Sequence, residues 1–444
     1  MNKNRQVAVV GSGIGGASAA WLLREHADVT LFEAERRFGG HTSTATVDDP
    51  RGPIAIDTGF MVFNRPNYPL LSSLFDHLDI STYPTDMSFS ASIDNGRLEY
   101  AGTDFNGLFG QRRNLLNPSF WRLLSNIVSF NRQGHQALQR DIDPSLTLDR
   151  FLDQAGLSQK FRDHYLYPMA AAIWSCPRDQ IGQFPALTFL RFFSNHGLIQ
   201  LNDRPQWHTV EGGSSTYMRR LIDDLGERAV GGQAVKKVIR RDSGVDVVRA
   251  DGRIGHFDDV VLACHSDQAL ALLESPAPSE SAVLSAIPYQ SNRVLLHRDP
   301  ALMPKQRRVW SSWNYLSDQQ GDAARAVAVT YWMNSLQRLD TAQDYFVSLN
   351  PLRDPQPDTV VAEYEYHHPV FSLDALTAQK QLHRIQGRDG IWFAGAWTGY
   401  GFHEDGMRSG VEVAQALGAS VPWREQVAAS RELTLVPQLV KKAA

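Results

Sequence analysis

The residues of this chain with the clearest chemical potential are glycines near its start, followed by one acid. Residues 11–16 read Gly-Ser-Gly-Ile-Gly-Gly, and Glu33 ends a later apolar run. Gly11 allows a sharp turn, Gly13 lets a pyrophosphate approach the backbone, and Gly16 allows close helix packing. Free N–H groups at a helix start favour phosphates, and a carboxylate at Glu33 can accept the hydroxyls of a ribose. The spacing therefore predicts a dinucleotide site.

Three elements must position these residues. Residues 6–10 form a short, apolar, β-branched run that is typical of a buried strand. The segment from Ile14 to Arg24 contains helix formers and no breaker, and residues 28–33 form a second apolar run. Strand, glycine turn, helix and strand together are the opening of a dinucleotide-binding fold, whereas a chance glycine turn would lack the other elements.

The run that follows indicates which dinucleotide. Residues 33–40 read Glu-Ala-Glu-Arg-Arg-Phe-Gly-Gly, which resembles the extended fingerprint of the flavin amine oxidase and phytoene desaturase superfamily. The resemblance implies that Gly39 and Gly40 pass the diphosphate of FAD and that Arg37 lies near it. His41 stands where the superfamily usually has another basic residue. The alternative is a solvated turn of arginine and glutamate.

A second motif, near the other end of the chain, supports the same cofactor. Residues 391–397 read as a strand ending in glycine, and Gly406 and Gly410 open a helix predicted over 407–417. This resembles the superfamily's C-terminal flavin element, in which the helix N-terminus faces the flavin and stabilises negative charge on it. The resemblance assigns a backbone donor to Met407. Because no cysteine lies in this motif, we expect FAD to be bound non-covalently.

Residues 234–264 lie between the two motifs and read as three strands, at 234–240, 245–250 and 256–264. In the superfamily, this region is a small sheet laid over the adenosine, and Val235 matches its adenine-contacting backbone position. The adjacent Cys264 and His265 are more typical of local packing than of a nucleophile, since no third partner is evident. The predicted cofactor-binding residues are Gly11, Gly13, Ile14, Gly15, Gly16, Glu33, Ala34, Arg37, Gly39, Gly40, His41, Val235, Gly395, Gly406 and Met407.

Composition excludes several classes of protein. A net charge of −4 argues against a general nucleic-acid binder. Two cysteines, Cys176 and Cys264, cannot form a disulfide framework, which favours a reducing, cytoplasmic location. The first strand begins so early that we expect no signal peptide, and no apolar run reaches the roughly 18 residues of a membrane span. A single dinucleotide fingerprint makes a separate NAD(P)H domain unexpected.

The order of the motifs predicts a mixed α/β fold with two interleaved domains. A Rossmann-type FAD-binding domain is expected from residues 1–65, 205–285 and 388–420. A substrate domain of helices and sheet is expected from residues 66–204 and 286–387, followed by a tail at 421–444. Within it, Asn-Gly at 95–96 indicates a hairpin over 87–100, and strands are predicted at 291–297, 309–315, 326–334 and 360–366.

Residues 105–130 are dense in apolar and aromatic side chains, with Arg112, Arg113 and Arg122 among them. Such a segment can lie on a membrane surface, with its arginines at the head groups, which would place the protein peripherally at the inner membrane. The alternative, a helical segment that packs inwards, is favoured.

Five aromatic residues are candidates for the wall of an apolar substrate pocket over the flavin: Phe60, Trp313, Tyr315, Trp332 and Trp397. Filling of an ordinary core is an equal alternative. His367 and His368 are adjacent, but no further ligands lie at a workable spacing, so no metal site is expected.

Several positions depart from amine oxidases. Asn292 stands where those enzymes hold a lysine that helps flavin react with oxygen, and His403 replaces the second tyrosine of their amine cage. The motifs at 313–315, 367–369 and 401–406 resemble a bacterial branch of the superfamily. Its members are often encoded beside cyclopropane-fatty-acid synthase-like methyltransferases and are implicated in oxidising or isomerising unsaturated fatty-acyl chains.

The resemblance therefore implies an oxidoreductase that moves a hydride from an apolar fatty-acyl substrate to FAD. His403 is the candidate acid or base, because imidazole titrates near neutral pH, and Tyr400 and Glu404 are further catalytic candidates. A buried histidine paired with Glu404 or Asp405 is the alternative. Two other functions stay open: a flavin amine oxidase acting on a small or lipophilic amine, and a flavin-binding redox partner with little turnover.

Overall fold

The computed structural model describes residues 5–140, 142–143, 145–174, 178–200, 204–318 and 327–423. The strands, numbered along the chain, are β1 (Gln6–Val10), β2 (Asp28–Phe32), β3 (Thr44–Asp49), β4 (Gly52–Asp57), β5 (Phe63–Asn64), β6 (Thr82–Thr85), β7 (Phe89–Ile93), β8 (Leu98–Ala101), β9 (Trp207–Val210), β10 (Ala229–Val230), β11 (Val235–Arg240), β12 (Val245–Arg249), β13 (Ile254–Phe257), β14 (Asp259–Leu262), β15 (Tyr289–His297), β16 (Trp313–Leu316), β17 (Ala328–Trp332), β18 (Phe346–Leu349), β19 (Val360–Pro369) and β20 (Ile391–Phe393).

The α-helices connect these strands and, between β8 and β9, form a continuous helical region. They are α1 (Ile14–Leu23), α2 (Pro69–His77), α3 (Phe105–Leu108), α4 (Pro118–Leu138), α5 (Leu148–Gln154), α6 (Gln159–Phe161), α7 (Tyr167–Trp174), α8 (Arg178–Ile181), α9 (Ala186–Asn195), α10 (Ser215–Leu225), α11 (Ser266–Leu272), α12 (Pro278–Ser285), α13 (Met333–Leu336), α14 (Leu373–Gln379) and α15 (His403–Ala416).

A five-stranded parallel sheet carries both predicted motifs. Its strand order is β10-β2-β1-β14-β20, so β1 lies beside β2 and β14. The buried residues of β1 are apolar because both faces of the sheet are covered. Every residue of α1, the helix that follows β1, is buried. The mixed α/β fold with a Rossmann-type sheet is confirmed.

The predicted strand at 256–264 is two strands, and that prediction was wrong. β13 completes a three-stranded antiparallel sheet with β11 and β12, whereas β14 joins the parallel sheet. The chain changes sheets at Asp258, whose backbone N–H and carboxylate pair with Gln6 at the start of β1. These two hydrogen bonds between Asp258 and Gln6 separate β13 from β14, although the sequence pattern predicts one continuous strand there.

A seven-stranded sheet of order β19-β15-β18-β17-β16-β7-β8 contains the predicted hairpin as β7 and β8. Strands predicted at 291–297 and 360–366 appear as β15 and β19, but β18 was not predicted. The strand predicted from 309 begins later, at Trp313, because residues 307–309 form a 3-10 turn. The strand predicted at 326–334 is β17; its first predicted residue, Ala326, lies outside the described residues.

The last segments of the chain return to the parallel sheet. β20 ends at Phe393, shorter than the predicted strand, and α15 begins at His403, four residues before the predicted Met407. The early start is stabilised by Asp405, whose carboxylate accepts the N–H groups of Tyr400 and Phe402 at 3.0 Å each. Of the predicted tail, residues 421–423 are described and 424–444 lie outside the described residues. Trp423 stacks on Trp21 of α1, with ring centroids 6.0 Å apart.

None of the helices among the described residues has the length and apolar character needed to cross a bilayer. In the region 105–130, one side of α4 packs inwards through Phe120, Leu123 and Phe130, as the favoured interpretation expected.

Candidate active site

The glycine turn after β1 has the shape that a diphosphate requires. Gly11 has a φ of +102°, and a Cβ there would lie 2.6 Å from the carbonyl oxygen of Ala263. A Cβ on Gly16 would lie 1.9 Å from the carbonyl oxygen of Gly11, so α1 can pack on the turn only through glycine. At Gly13, by contrast, a Cβ would meet nothing within 4 Å. The turn is thus closed by protein at two glycines and open at the third.

Glu33 is oriented by Ser12, a residue inside the glycine run that the sequence analysis did not single out. The N–H and hydroxyl of Ser12 both donate to Glu33 Oε2, at 2.9 and 2.5 Å, and the N–H of Glu35 donates to Oε1 at 3.0 Å. Ser12 Oγ also accepts the N–H of Gly39 at 3.0 Å. One buried serine therefore ties the phosphate turn, the acid at the end of β2 and the glycine doublet together.

Arg37 shapes the glycine doublet from outside. Its guanidinium donates to the carbonyl oxygens of Thr42 at 3.0 Å and of Gly40 at 2.8 Å. A Cβ on Gly40 would lie 3.4 Å from the Cα of Gly13, which places the doublet against the open side of the phosphate turn. Arg37 is exposed and lines the same cavity as Gly13, and its guanidinium also pairs with Glu35 at 3.7 Å.

The C-terminal motif meets the N-terminal one through glycine contacts. A Cβ on Gly15 would lie 2.9 Å from the carbonyl oxygen of Gly406, and one on Gly410 would lie 2.1 Å from that of Gly15. Gly395, with a φ of +149°, donates its N–H to Ser409 Oγ at 2.8 Å. These approaches bring α1, α15 and the end of β20 together. Met407 is fully buried in the second turn of α15, so its role as a free backbone donor stays a prediction.

One cavity of 1580 Å³ gathers most of the predicted residues, more than the roughly 300–1,000 Å³ of an ordinary small-molecule site. Its wall contains these predicted residues: Gly11, Gly13, Ile14, Gly15, Glu33, Ala34, Arg37, Gly39, Gly40, His41, Val235, Gly395, Phe60, Trp313, Trp397, Tyr400 and His403. Six predicted residues are not in the wall: Gly16, Gly406, Met407, Glu404, Tyr315 and Trp332.

Three of these six need correction, because sequence proximity suggested contacts that the fold does not make. Tyr315 is buried but lies outside the wall to which Trp313 of the same strand contributes. Trp332 donates from its indole to Asp344 at 2.9 Å and packs edge-on against Trp310. The carboxylate of Glu404 accepts from α2 and does not line the cavity. Of the substrate-pocket candidates, Phe60, Trp313 and Trp397 remain on the cavity.

His403 lines the cavity and is clamped between two partners. Its ring stacks on Phe60 with centroids 3.9 Å apart and planes 9° apart, and Nε2 hydrogen-bonds to the hydroxyl of Tyr217. Thr42 Oγ1 lies 2.9 Å from that hydroxyl and 3.4 Å from Nε2. Burial lowers the pKa of His403 to about 3, so the ring is neutral at physiological pH. His403 thus pairs with Tyr217 and not with Glu404 or Asp405, and its role as acid or base stays a prediction.

Glu404 stabilises a helix rather than facing the cavity. Its carboxylate accepts the N–H of Leu70 at 2.8 Å and the N–H of Leu71 at 3.1 Å, at the start of α2. Such capping satisfies donors that have no partner within the helix. Burial raises the pKa of Glu404 to about 7. Because the side chain does not reach the cavity, its candidacy as a catalytic residue is not supported.

Two half-buried histidines of the cavity wall, His41 and His368, lie against each other, and the carbonyl oxygen of His41 accepts the N–H of Phe60 at 2.8 Å. His41 packs against His368, with ring centroids 5.2 Å apart, and burial lowers the pKa of His41 well below its ordinary value. The lowered pKa disfavours the charged form of His41, and a contact of this residue with the diphosphate stays a prediction. Asn292, fully buried, lies 3.1 Å from Nδ1 of His368, whose pKa burial lowers to about 4. Among the described residues no cluster of side chains is arranged to hold a metal ion.

Beyond His403, the cavity extends into an arm between α7, α9 and the seven-stranded sheet. Its wall is mainly apolar and aromatic, and includes Tyr100, Tyr165, Met169, Ala172, Ile173, Trp174, Phe192, Leu198, Trp313, Tyr331, Val347 and Leu349. Of the arginines and lysines that the structure describes, Arg37 lines the cavity at the glycine doublet and Arg204 lines it at this arm. Arg204 is exposed, and its charge acts on the buried hydroxyl of Tyr165.

Comparison with known proteins decides the family. The model of the family described as "Flavin containing amine oxidoreductase" matches residues 14–418. The chain belongs to this family. The description of the family names a flavin, and the flavin dinucleotide FAD carries a diphosphate. The open space at Gly13, beside the free helix start of α1, fits the diphosphate of that cofactor.

A curated relative of this chain is the "Putative flavin-containing monoamine oxidase AofH" of Mycobacterium tuberculosis, 25% identical over 331 residues. The match covers 72% of this chain and 64% of that relative. The chain thus spans somewhat less than two thirds of the length of that relative.

Two solved structures have similar folds over nearly the whole chain. A fatty acid isomerase from P. acnes has a TM-score of 0.69 at 15% identity, covering 94% of this chain and 100% of that one. Cyclohexylamine oxidase from Brevibacterium oxydans has a TM-score of 0.67 at 17% identity, covering 93% and 98%. At these identities the likeness concerns the fold alone.

Proposed function

We propose that this protein takes a hydride from an apolar, unsaturated fatty-acyl chain, in a desaturation or a double-bond isomerisation. The observation that carries the proposal is the apolar arm of the cavity, which leads from His403 and the flavin elements towards Arg204. The fatty acid isomerase with the same fold has a substrate of this chemical class. An extended chain with one acidic end fits an arm that is apolar along its wall and cationic at its end.

The arm would exclude water from the reacting carbons. Phe192 and Trp174 pack against each other with centroids 4.7 Å apart, and Phe192 stacks on Phe402 at 5.0 Å, next to His403. Such aromatic walls give a large contact area with an alkyl chain. The wall therefore suits a substrate that is recognised by its length and apolar surface.

Arg204 is proposed as the group that holds the carboxylate of the substrate. Its guanidinium carries a fixed positive charge, and it lies where the arm meets the surface, beside Tyr165. A hydrogen bond to a charged group contributes about 1.5–3 kcal/mol, so removal of Arg204 should raise KM by about 10- to 100-fold. The methyl ester of the same acid should show no such dependence on Arg204.

The FAD-binding roles of the predicted residues are part of the proposal. Ile14 and Gly15 would donate their N–H groups to the diphosphate, Glu33 would accept from the ribose, and Val235 would contact the adenine. When bound, FAD supplies a two-electron hydride acceptor. His403, neutral and clamped by Phe60 and Tyr217, would position the chain and not carry charge. Residues 66–204 and 286–387 are proposed as the substrate domain that surrounds the arm.

The first test is the content of the arm in the purified holoenzyme. Lipid extraction followed by mass spectrometry should recover fatty-acyl species, and Arg204→Ala should lower their amount whereas Arg191→Ala, on the outer face of α9, should not. Kinetics should then show the higher KM of Arg204→Ala for free fatty acids. Recovery of no acyl species, together with an unchanged KM in Arg204→Ala, would count against this substrate class.

An amine substrate is the second candidate, because the curated relative is named a monoamine oxidase. It predicts bleaching of the flavin by lipophilic primary amines in the absence of oxygen. A flavin-binding redox partner with little turnover would bleach with neither class of compound.

A further inference from the structure

An apolar patch lies on the outer surface of the helical region. It consists of Phe105, Leu115, Leu116 and Trp121, with exposed fractions of 63%, 37%, 89% and 49%. The four are continuous in space: Phe105 and Trp121 both pack on Phe109, at 4.7 and 5.3 Å, and the Trp121 indole donates to the carbonyl oxygen of Leu115 at 2.9 Å. Exposed patches of large apolar side chains mark interaction surfaces.

The apolar patch is not the unfilled edge of a core. The inward side of α4 is occupied by Phe120, Leu123 and Phe130, all buried, so Trp121 points away from a packed interior. Val128, two turns further along α4, is also exposed, at 54%. Between Trp121 and Val128 the exposed residues of α4 are Arg122 and Ser125, so the apolar patch ends at Trp121 and Val128 is a separate exposed apolar residue.

Positive charge surrounds the apolar patch. Arg112, Arg113 and Arg122 are exposed, and none of them forms an ion pair with a carboxylate in the described part of the chain. Arg112 and Arg113 instead donate to the carbonyl oxygens of Phe109 and Arg97. Asp104 is the single acid in residues 102–130, and its carboxylate accepts the N–H of Gly107 at the start of α3. The surface is apolar and cationic together, which is complementary to anionic lipid.

The apolar patch also adjoins an opening of the cavity. Gly102 and Thr103 are exposed residues of the cavity wall, and Phe105 follows Thr103 after one residue, Asp104. Arg204 and Gln206, exposed on the same wall, lie where β9 begins beside β6. Docking of the apolar patch would therefore bring the exposed wall residues Gly102 and Thr103 close to lipid.

We propose that the apolar patch docks on the surface of an anionic bilayer. Phe105, Leu116 and Trp121 enter the boundary between head groups and acyl chains, and the three arginines contact the phosphates. This inference goes beyond the proposed function and does not depend on it, since docking requires no turnover. If the fatty-acyl proposal also holds, docking supplies a lipophilic substrate without passage through water.

The test is flotation of the FAD-loaded full-length chain with vesicles of phosphatidylcholine alone or mixed with phosphatidylglycerol. The wild type should float with the anionic vesicles and less with the neutral ones. Leu116→Glu should weaken binding to the vesicles by about tenfold or more, because the leucine side chain that would be buried in the bilayer is lost. Arg122→Glu should weaken it by about 30-fold, at roughly fivefold per unit of charge. Ile254→Glu, at a 62% exposed position on β13, is the matched control and should bind as the wild type does.

Three results would overturn the proposal. The wild type could fail to float with anionic vesicles, or Ile254→Glu could weaken binding as much as Leu116→Glu. Sedimentation without vesicles could also show a dimer that Leu116→Glu dissociates, in which case a second copy of the chain covers the apolar patch. Flavin absorbance of each variant confirms that it is folded, and Phe105→Ser provides a second, independent lesion of the patch.

Discussion

A substitution at Gly13 should impair cofactor binding without impairing folding. A Cβ at this position meets nothing within 4 Å, and the residue's φ of −56° is open to any amino acid. Leucine at position 13 would therefore fit the protein while its side chain fills the space beside the start of α1. We expect Gly13→Leu to fold and to lose FAD.

The size of the effect follows from the donors at the helix start. The N–H of Ala17 makes the first bond of α1, to the carbonyl oxygen of Gly13, so the N–H groups of Ile14 and Gly15 are left for a ligand. Two charge-assisted hydrogen bonds contribute about 3–6 kcal/mol, and their loss should raise the Kd for FAD by about 10²- to 10⁴-fold. The fold should change little, because exchanging a glycine N-cap for a residue without a capping side chain costs about 1 kcal/mol or less.

The assay compares flavin per protein after purification, then titrates apoprotein with FAD and follows its thermal unfolding. Gly16→Ala is the contrasting variant, because its Cβ would lie 1.9 Å from the carbonyl oxygen of Gly11 and 2.9 Å from Ala263 Cβ. This smaller substitution should lower the melting temperature of the apoprotein strongly, by overpacking. The reasoning is refuted if Gly13→Leu binds FAD as the wild type does, or if its apoprotein is as unstable as that of Gly16→Ala.

Three further predictions concern buried titratable groups. His403→Gln should keep its flavin and lose rate. Because the pKa of His403 is lowered to about 3, the pH–rate profiles of the wild type and of this variant should not differ by an ionisation near pH 6.5. An ionisation near pH 6.5 that is present in the wild type and absent from the variant would contradict a neutral ring. Glu404→Ala should keep flavin and lower the free energy of unfolding by about 1–3 kcal/mol, because two N–H groups of α2 lose their acceptor; urea unfolding that matches the wild type would disprove the cap. His297 is fully buried, its pKa is lowered to about 4, and it must be neutral when folded, so stability is lost as pH falls below the ordinary value of 6.5. Between pH 7 and 5, protonation of His297 in the unfolded chain should lower the free energy of unfolding by about 2 kcal/mol. Urea unfolding of His297→Gln should not show this loss. A variant with the same pH dependence of stability as the wild type would show that His297 is not the titrating group.

The parallel sheet and the glycine motifs could be predicted because local chemistry determines them. Gly16 is required by a contact inside the turn, with the carbonyl oxygen of Gly11, and the apolar run of β1 follows from burial on both faces. The two motifs contact each other through Gly15, Gly406 and Gly410. Their occurrence together in one chain therefore indicated that the two ends of the chain lie in contact.

The remainder depended on contacts that no local pattern encodes. Glu404 follows His403 in sequence, yet the helix turn directs one side chain to the cavity and the other to the start of α2. Tyr217, which hydrogen-bonds to His403, comes from α10, and no motif marks it. The pKa of His403 is lowered by burial, which depends on the packing of Phe60 and the surrounding wall. Ser12 could have been found, since a hydroxyl inside the glycine run can reach the acid at the end of β2.

The central claim is that the cavity oxidises a fatty-acyl chain, and one anaerobic mixing experiment tests it most directly. The holoenzyme is mixed without oxygen with a di-unsaturated fatty acid or with a lipophilic primary amine, while flavin absorbance is recorded and the products are analysed by mass spectrometry. The account predicts reaction with the fatty acid, seen either as one equivalent of bleached flavin or as a product of equal mass with a moved double bond, and no reaction with the amine. Bleaching by the amine, with the fatty acid recovered unchanged, would contradict it.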